Sequence, residues 1–193
     1  MKHVALLVVT ILATVSIGLA QARWTLDKVH SSVQFSVKHM VISTVTGSFK
    51  DFSVDLKSDK PDFSDASVNA VINVASINTD NTMRDGHLKS DDFFNAEKFP
   101  EIKFVSTSFE KVGEMNYKIT GNLTMRDVTK QVVFDAVLGG TLKTDHGTLS
   151  AWTATTTVNR FDYNLKWNKA LETGGLMVGQ DVTVTLNLEL NKQ

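Results

Sequence analysis

The sequence predicts an all-β fold: an eight-stranded antiparallel barrel closed on itself, with one or two short helices covering an end. Three observations predict it. After the first 22 residues apolar side chains recur at every second position, the period of a half-buried strand. Several alternating runs reach about ten residues, well past the usual strand of about five or six. The runs near residues 32, 47, 66, 101, 115, 130, 148 and 181 make eight long strands, joined by a short one at Trp24 to Asp27. Closing eight antiparallel strands removes exposed edges and leaves an interior for side chains or one small ligand.

Taken in order, residues 1–22 read as an export signal: Lys2 is the positive n-region, Val4 to Ala20 the apolar run, and Ala20-Gln21-Ala22 a small-x-small cleavage site. The expected mature chain, residues 23–193, is one domain in the periplasm. A spanning helix is the rival reading, but Thr10, Thr14, Ser16 and Gly18 interrupt a run barely long enough for a hydrocarbon core of roughly 30 Å. No cysteine follows to be acylated, so no stable membrane anchor is expected.

Val33, Phe35 and Val37 share one face of the first long strand, with Gln34, Ser36 and Lys38 opposite. Phe52, Val54 and Leu56 alternate with Ser53, Asp55 and Lys57 until Ser58-Asp59-Lys60-Pro61-Asp62 breaks the pattern, because proline cannot donate to a ladder. Val68, Ala70, Ile72 and Val74 form the next face. Ile102, Phe104, Ser106 and Ser108 follow, then Met115, Tyr117, Ile119, Leu123 and Met125. Val132, Phe134, Ala136 and Leu138 come after the short Arg126 to Lys130 connection. Thr148 to Phe161 and the Val182 to Leu190 alternation complete the set.

Two segments break the alternation. Asn81 to Ser90 places Met83, His87 and Leu88 at helical spacing, with Asn78, Thr79 and Asp80 as candidate N-caps. Asn168 to Gln180 carries paired glycines with Leu171, Leu176, Met177 and Val178. Either segment can cover a barrel mouth.

Removing residues 1–22 takes Lys2 with it and leaves 19 basic against 21 acidic residues, a formal net of −2. No basic stripe stands out, so nucleic acid is not an expected partner. An exported chain without cysteine has no disulfides, and its fold must rest on a hydrophobic core for which 171 residues suffice.

Four stretches carry a family resemblance: WTLDKVHSSVQFSVKHMVISTVTGSFKDF from Trp24, SINTDNTMRDGHLKSDDFFNAEKFPEIKFVS from Ser76, GNLTMRDVTKQVVF from Gly121, and Asn159-Arg160-Phe161-Asp162-Tyr163. Together they resemble the YceI-like family of exported lipid-binding proteins over nearly all of the mature chain. Tyr163 departs from the pattern, which commonly has glycine there. The resemblance implies a lipocalin-like barrel around a long apolar chain, typically a polyisoprenoid or an isoprenoid quinone and in some members a fatty amide.

A barrel of this kind would bind a chain by taking it out of water, at roughly 25 cal/mol per Å² of apolar surface. The candidate cavity wall is Phe35, Val37, Val54, Leu56, Ile72, Val74, Phe104, Tyr117, Ile119, Phe134 and Leu186. Alternation alone does not distinguish a hollow barrel from a filled one. The thin positions Ala70, Ser106, Ser108, Gly121 and Ala136 tilt the expectation towards space inside.

Arg84, His87 and Arg160 are candidate mouth or head-group residues. A cation there has two readings: it bonds loop and strand-end carbonyls, or it receives an anionic or carbonyl head group. His30 and His39 are nine apart and face opposite ways on an uninterrupted strand, and His87 has no histidine at i+4, so no metal is expected. There is no cysteine nucleophile, G-x-S-x-G elbow, P-loop or dinucleotide fingerprint, and Asp27, His30 and Ser31 lack triad spacing. The reading is therefore a carrier without catalysis or cofactor. Its alternatives are an enzyme on an apolar substrate, or a stress-related scaffold with its barrel as framework. Homodimerisation through an outward stripe such as Val71 and Val105 is left open.

Overall fold

A computed structural model describes residues 21–172 and 174–193. The expected signal segment, apart from Gln21 and Ala22, lies outside the described residues.

The strands are β1 (Arg23–Leu26), β2 (Ser32–His39), β3 (Ser43–Phe49), β4 (Phe52–Lys57), β5 (Ser67–Asn73), β6 (Ile77–Asn78), β7 (Glu101–Lys111), β8 (Asn116–Met125), β9 (Val128–Thr144), β10 (Gly147–Asn159) and β11 (Val178–Lys192). The one α-helix among the described residues is α1 (Thr82–Lys89). All strand pairings are antiparallel, and they close into an eight-membered barrel because three of its staves are interrupted strands. β1 and β2 lie end to end along one edge of β11, with Trp24 opposite Lys192 and Val33 opposite Leu186. Their partners β3 and β4 form the second stave, and β5 with β6 the third.

The irregularities have local causes and decide which side chains face inward. In β7 the register against β8 shifts between Ser106 and Ser108. The extra residue turns Ser108 away, towards Glu110, and brings Phe109 inside. Ser106 accepts a hydrogen bond from the Val68 amide, and a Cβ on Gly121 would meet the Phe104 ring at 2.4 Å. Ser106 and Gly121 therefore serve the ladder and the packing of Phe104, and Ser108 bonds on the outer face, whereas Ala70 and Ala136 line the open bore. A 3-10 turn at Val74–Ser76, capped by the Asn73 side chain, ends the alternation of β5. Val74 is consequently buried beside the barrel instead of along its bore.

One end of the barrel is filled. The β4–β5 loop inserts Phe63, fully buried, against Trp24 and Trp152 at centroid distances of 5.1 and 5.0 Å. Tyr117 and Phe109 complete the cluster. Phe63 sits at φ 54°, a left-handed conformation costing about 1–2 kcal/mol. Burying its ring offsets that with on the order of 4 kcal/mol. Asp65 holds the loop: its carboxylate accepts bonds from Ser58 Oγ at 2.6 Å, the Asp59 amide at 3.0 Å, the Lys60 amide at 3.3 Å and Gln21 Nε2 at 3.1 Å. Burial opposes ionisation of Asp65, but these donors outweigh it and hold the carboxyl well below its usual range.

The other end is spanned by backbone. Asn81, one position beyond the expected caps, accepts from the Arg84 amide at 3.0 Å and starts α1. The Asn168 to Gln180 segment forms no helix; it doubles back through an Ala170–Leu176 bridge, with the Met177 amide bonded to the Lys169 carbonyl. The departure at Tyr163 is absorbed one residue later: Tyr163 ends a buried 3-10 turn, and Asn164 takes the left-handed conformation at φ 62°.

Candidate functional site

The inward faces enclose a cavity of about 190 Å³. A single water needs roughly 10–15 Å³ on the same footing, so the bore is hollow, not merely imperfectly packed. Its wall comes from every stave. Phe35, Val37, Val54, Leu56, Ile72, Phe104, Ile119, Phe134 and Leu186 line it as their alternation predicts. Tyr117, expected in the wall, is a corner of the aromatic plug below it, where its hydroxyl donates to the Asp62 carbonyl at 2.9 Å. Val74 lies outside the lining for the reason given above.

Two groups of wall residues escape a reading by alternation. Phe109 enters through the bulge in β7. Trp152, Ala154 and Val158, by contrast, follow the alternation of β10, since the extra residue at the β9–β10 register shift, Gly139, lies in β9. Leu88, Phe93 and Phe94 come from the α1 segment and roof the bore. The spacing of Leu88 on the helical run is the one signal that could have found them.

Two guanidinium groups hold that roof. Arg126 and Asp127 occupy the two-residue turn between β8 and β9 at φ 48° and 60°, values that favour Asn-Gly. The turn aims Arg126 across the end, where Nη1 donates to the carbonyls of Phe93 at 2.6 Å, Asn164 at 3.0 Å and Asp91 at 3.1 Å. Arg160, 4% exposed, donates through Nε to the Gly179 carbonyl at 2.8 Å. Its Nη1 reaches Leu165 and Trp167, and its Nη2 the Val178 carbonyl at 3.1 Å. Arg160 lines the cavity, and burial pushes its pKa down.

The other two expected mouth residues do not reach the bore. Arg84 donates to Thr79 Oγ1 and to the Thr79 carbonyl, each at 2.8 Å, while Asp85 accepts from the Thr79 amide and hydroxyl. This clamp fixes the start of α1 to β6. His87 bonds Asp92 at 2.8 Å and sets its ring edge-on to Phe93 and Trp167, each 5.0 Å away. It joins the helix to the segment after β10.

Among the described residues one other titratable group converges: Asp27, His30 and Glu189, on the outside of the barrel at the β1–β2 break. His30 Nδ1 stands 3.1 Å from Asp27, whose hydrogen bond raises the imidazole pKa. The histidine is exposed, and nothing joins this group to the cavity. Val105 is exposed and Val71 half-buried on the outer face of β7 and β5.

Residues 24–190 match the YceI-like domain. A UPF0312 protein of Staphylococcus aureus (strain MSSA476) is 39% identical over 170 residues, covering 87% of this chain and 96% of its own. The solved YceI protein of Campylobacter jejuni is 34% identical, covers 88% of this chain and 97% of its own, and superposes with a TM-score of 0.71. A polyisoprenoid binding domain from Saccharophagus degradans shares the fold at 16% identity, with a TM-score of 0.66 over 88% of this chain and 98% of its own. With the matched residues running from β1 into β11, the chain belongs to the YceI-like family.

Proposed function

We propose that this protein is a periplasmic carrier or reservoir that holds one long-chain apolar lipid in its barrel without changing it chemically. The observation that carries the reading is a hollow bore of about 190 Å³ whose described wall is almost wholly hydrocarbon. A preformed apolar cavity gains affinity by removing hydrocarbon from water and contributes little to bond making. The polyisoprenoid binding domain of Saccharophagus degradans, on the same fold, points to a prenyl chain. An isoprenoid quinone is the related alternative.

Arg160 is the one ionisable side chain among the described lining residues. An acid–base reaction needs a group that gains or loses a proton near working pH, and a guanidinium does not. This favours carriage over catalysis. The lipid enters and leaves at the Arg126 and Arg160 end, since the opposite end is packed with rings.

Organic extraction of protein purified without detergent, followed by mass spectrometry, tests the reading. A prenyl lipid near one equivalent per chain is the expected result. Protein from the periplasmic fraction that carries no lipid and takes none up would remove the proposal.

A further inference from the structure

Resting on the lipid-carrier reading, we propose that the turn between β2 and β3 docks the capped end of the barrel on an anionic lipid bilayer, so that an apolar chain passes between bilayer and bore without crossing water. The turn is Met40-Val41-Ile42. Its side chains are given to solvent: Val41 is 61% and Ile42 89% exposed. Met40 and Val41 stand at φ 50° and 68°, the left-handed region that Asn and Gly ordinarily fill and that strains a β-branched residue. A polar Asn-Gly pair would relieve both the strain and the exposure, and burial offsets neither. Strain kept at an exposed apolar tip points to a use outside the fold.

The tip stands at the end where the bore is capped. His39, the last residue of β2, pairs with Val178, the first of β11, and Val178 lines the cavity. The Met40 amide donates to the Met177 carbonyl at 2.8 Å, and the next carbonyl, that of Val178, is one that Arg160 holds. Gly175 lets the neighbouring segment close against the turn, since a Cβ there would meet Val41 Cγ2 at 3.0 Å. The turn is therefore continuous with the backbone that spans the mouth. Whatever surface receives the tip also faces the mouth.

Charge and shape choose that surface. Lys38 leads into the turn, and Lys166 and Lys169 stand on the segment beside it, all exposed and none in an ion pair among the described residues. Glu172 and Asp181 are the acids on the same two segments. Asp91, Asp92 and Asp162, also at the capped end, are taken by Arg126, His87 and Lys130. Asp127 lies in the β8–β9 turn, four staves round the barrel. Residues 23–193 sum to a formal −2, so attraction to an anionic surface is local to these lysines and orients this end towards it. A protruding turn of three apolar residues falls far short of the roughly 800 Å² that each side of a standard protein interface buries. It suits the boundary between head groups and acyl chains, where apolar side chains insert and lysines stay with the phosphates.

The test floats the purified protein with vesicles of phosphatidylcholine alone or with roughly one-third phosphatidylglycerol, and separately titrates it with pyrene-labelled geranylgeraniol in the absence of vesicles. The proposal expects roughly tenfold or more tighter partition to the anionic vesicles, weakening as salt rises. Ile42→Asp should lower that partition roughly tenfold and slow uptake of the probe from vesicles, with its affinity for the free probe unchanged. Ile42→Leu should behave as the wild type. Wild-type protein that does not float, or Ile42→Asp protein that floats as well, overturns the docking assignment, and the carrier reading stands if the free probe still binds. A dimer in sedimentation velocity that Ile42→Asp dissolves assigns the tip to a second copy of the chain and overturns the proposal too. If the free probe does not bind, the carrier reading falls and the proposal with it.

Discussion

At one end of the barrel Phe63, Trp152 and Tyr117 fill the bore with rings; at the other, Arg126 and Arg160 hold loops across it by donating to backbone carbonyls. The two solutions differ in what it takes to undo them. Opening the ring-packed end exposes large apolar surface and leaves a void, which close-packed interiors resist. Opening the capped end exchanges carbonyl hydrogen bonds for bonds to water, at a net cost per bond of only about 1 kcal/mol, somewhat more to a charged group. A hollow barrel that must fill and empty needs one end of each kind.

The sharpest way to break the comparison is at the ring-packed end. Phe63→Ala removes a fully buried ring and should cost about 3–5 kcal/mol in urea unfolding. A loss below about 1 kcal/mol would mean that the plug is not a structural element. At the capped end, Arg126→Ala frees the carbonyls of Asp91, Phe93 and Asn164 and should cost about 2 kcal/mol. Its larger signature is local: amide exchange should quicken across residues 88–96 while β7 to β10 stay protected. Uniform acceleration over the whole sheet would show that the cap is not a separate element.

Asp65 sharpens the comparison through pH. Its folded pKa lies below its unfolded value, so its contribution is complete above the ordinary carboxylate range and is lost as pH falls through the depressed folded value. Asp65→Asn should cost about 1 kcal/mol near neutrality and flatten the acid limb of the stability curve. An unchanged limb would assign acid lability to other carboxylates. The smallest expected effect lies on the outer surface. Asp27→Asn should bring the His30 pKa down towards that of a free histidine, read by NMR titration, without altering lipid uptake.

Much of the barrel is legible as a period of two, and nine expected wall residues from Phe35 to Leu186 do line the bore. What the period cannot carry is a change of phase. A single extra residue in β7 exchanges Ser108 for Phe109, and a 3-10 turn removes Val74 from its face. Neither event has a sequence marker: the bulge falls in a Ser-Thr-Ser run that alternates well enough by eye. The head-group candidates separate for a different reason. Arg84 and Arg160 are the same residue type next to an aspartate or one residue short of it, and only tertiary contacts put one around Thr79 and the other in the wall.

Native mass spectrometry of the protein purified without detergent tests the central claim most directly. A hollow, one-lipid barrel predicts a mass exceeding the polypeptide by one lipid, lost on organic extraction and restored when that lipid is added back. A bare polypeptide mass that no added prenyl lipid shifts would contradict the account.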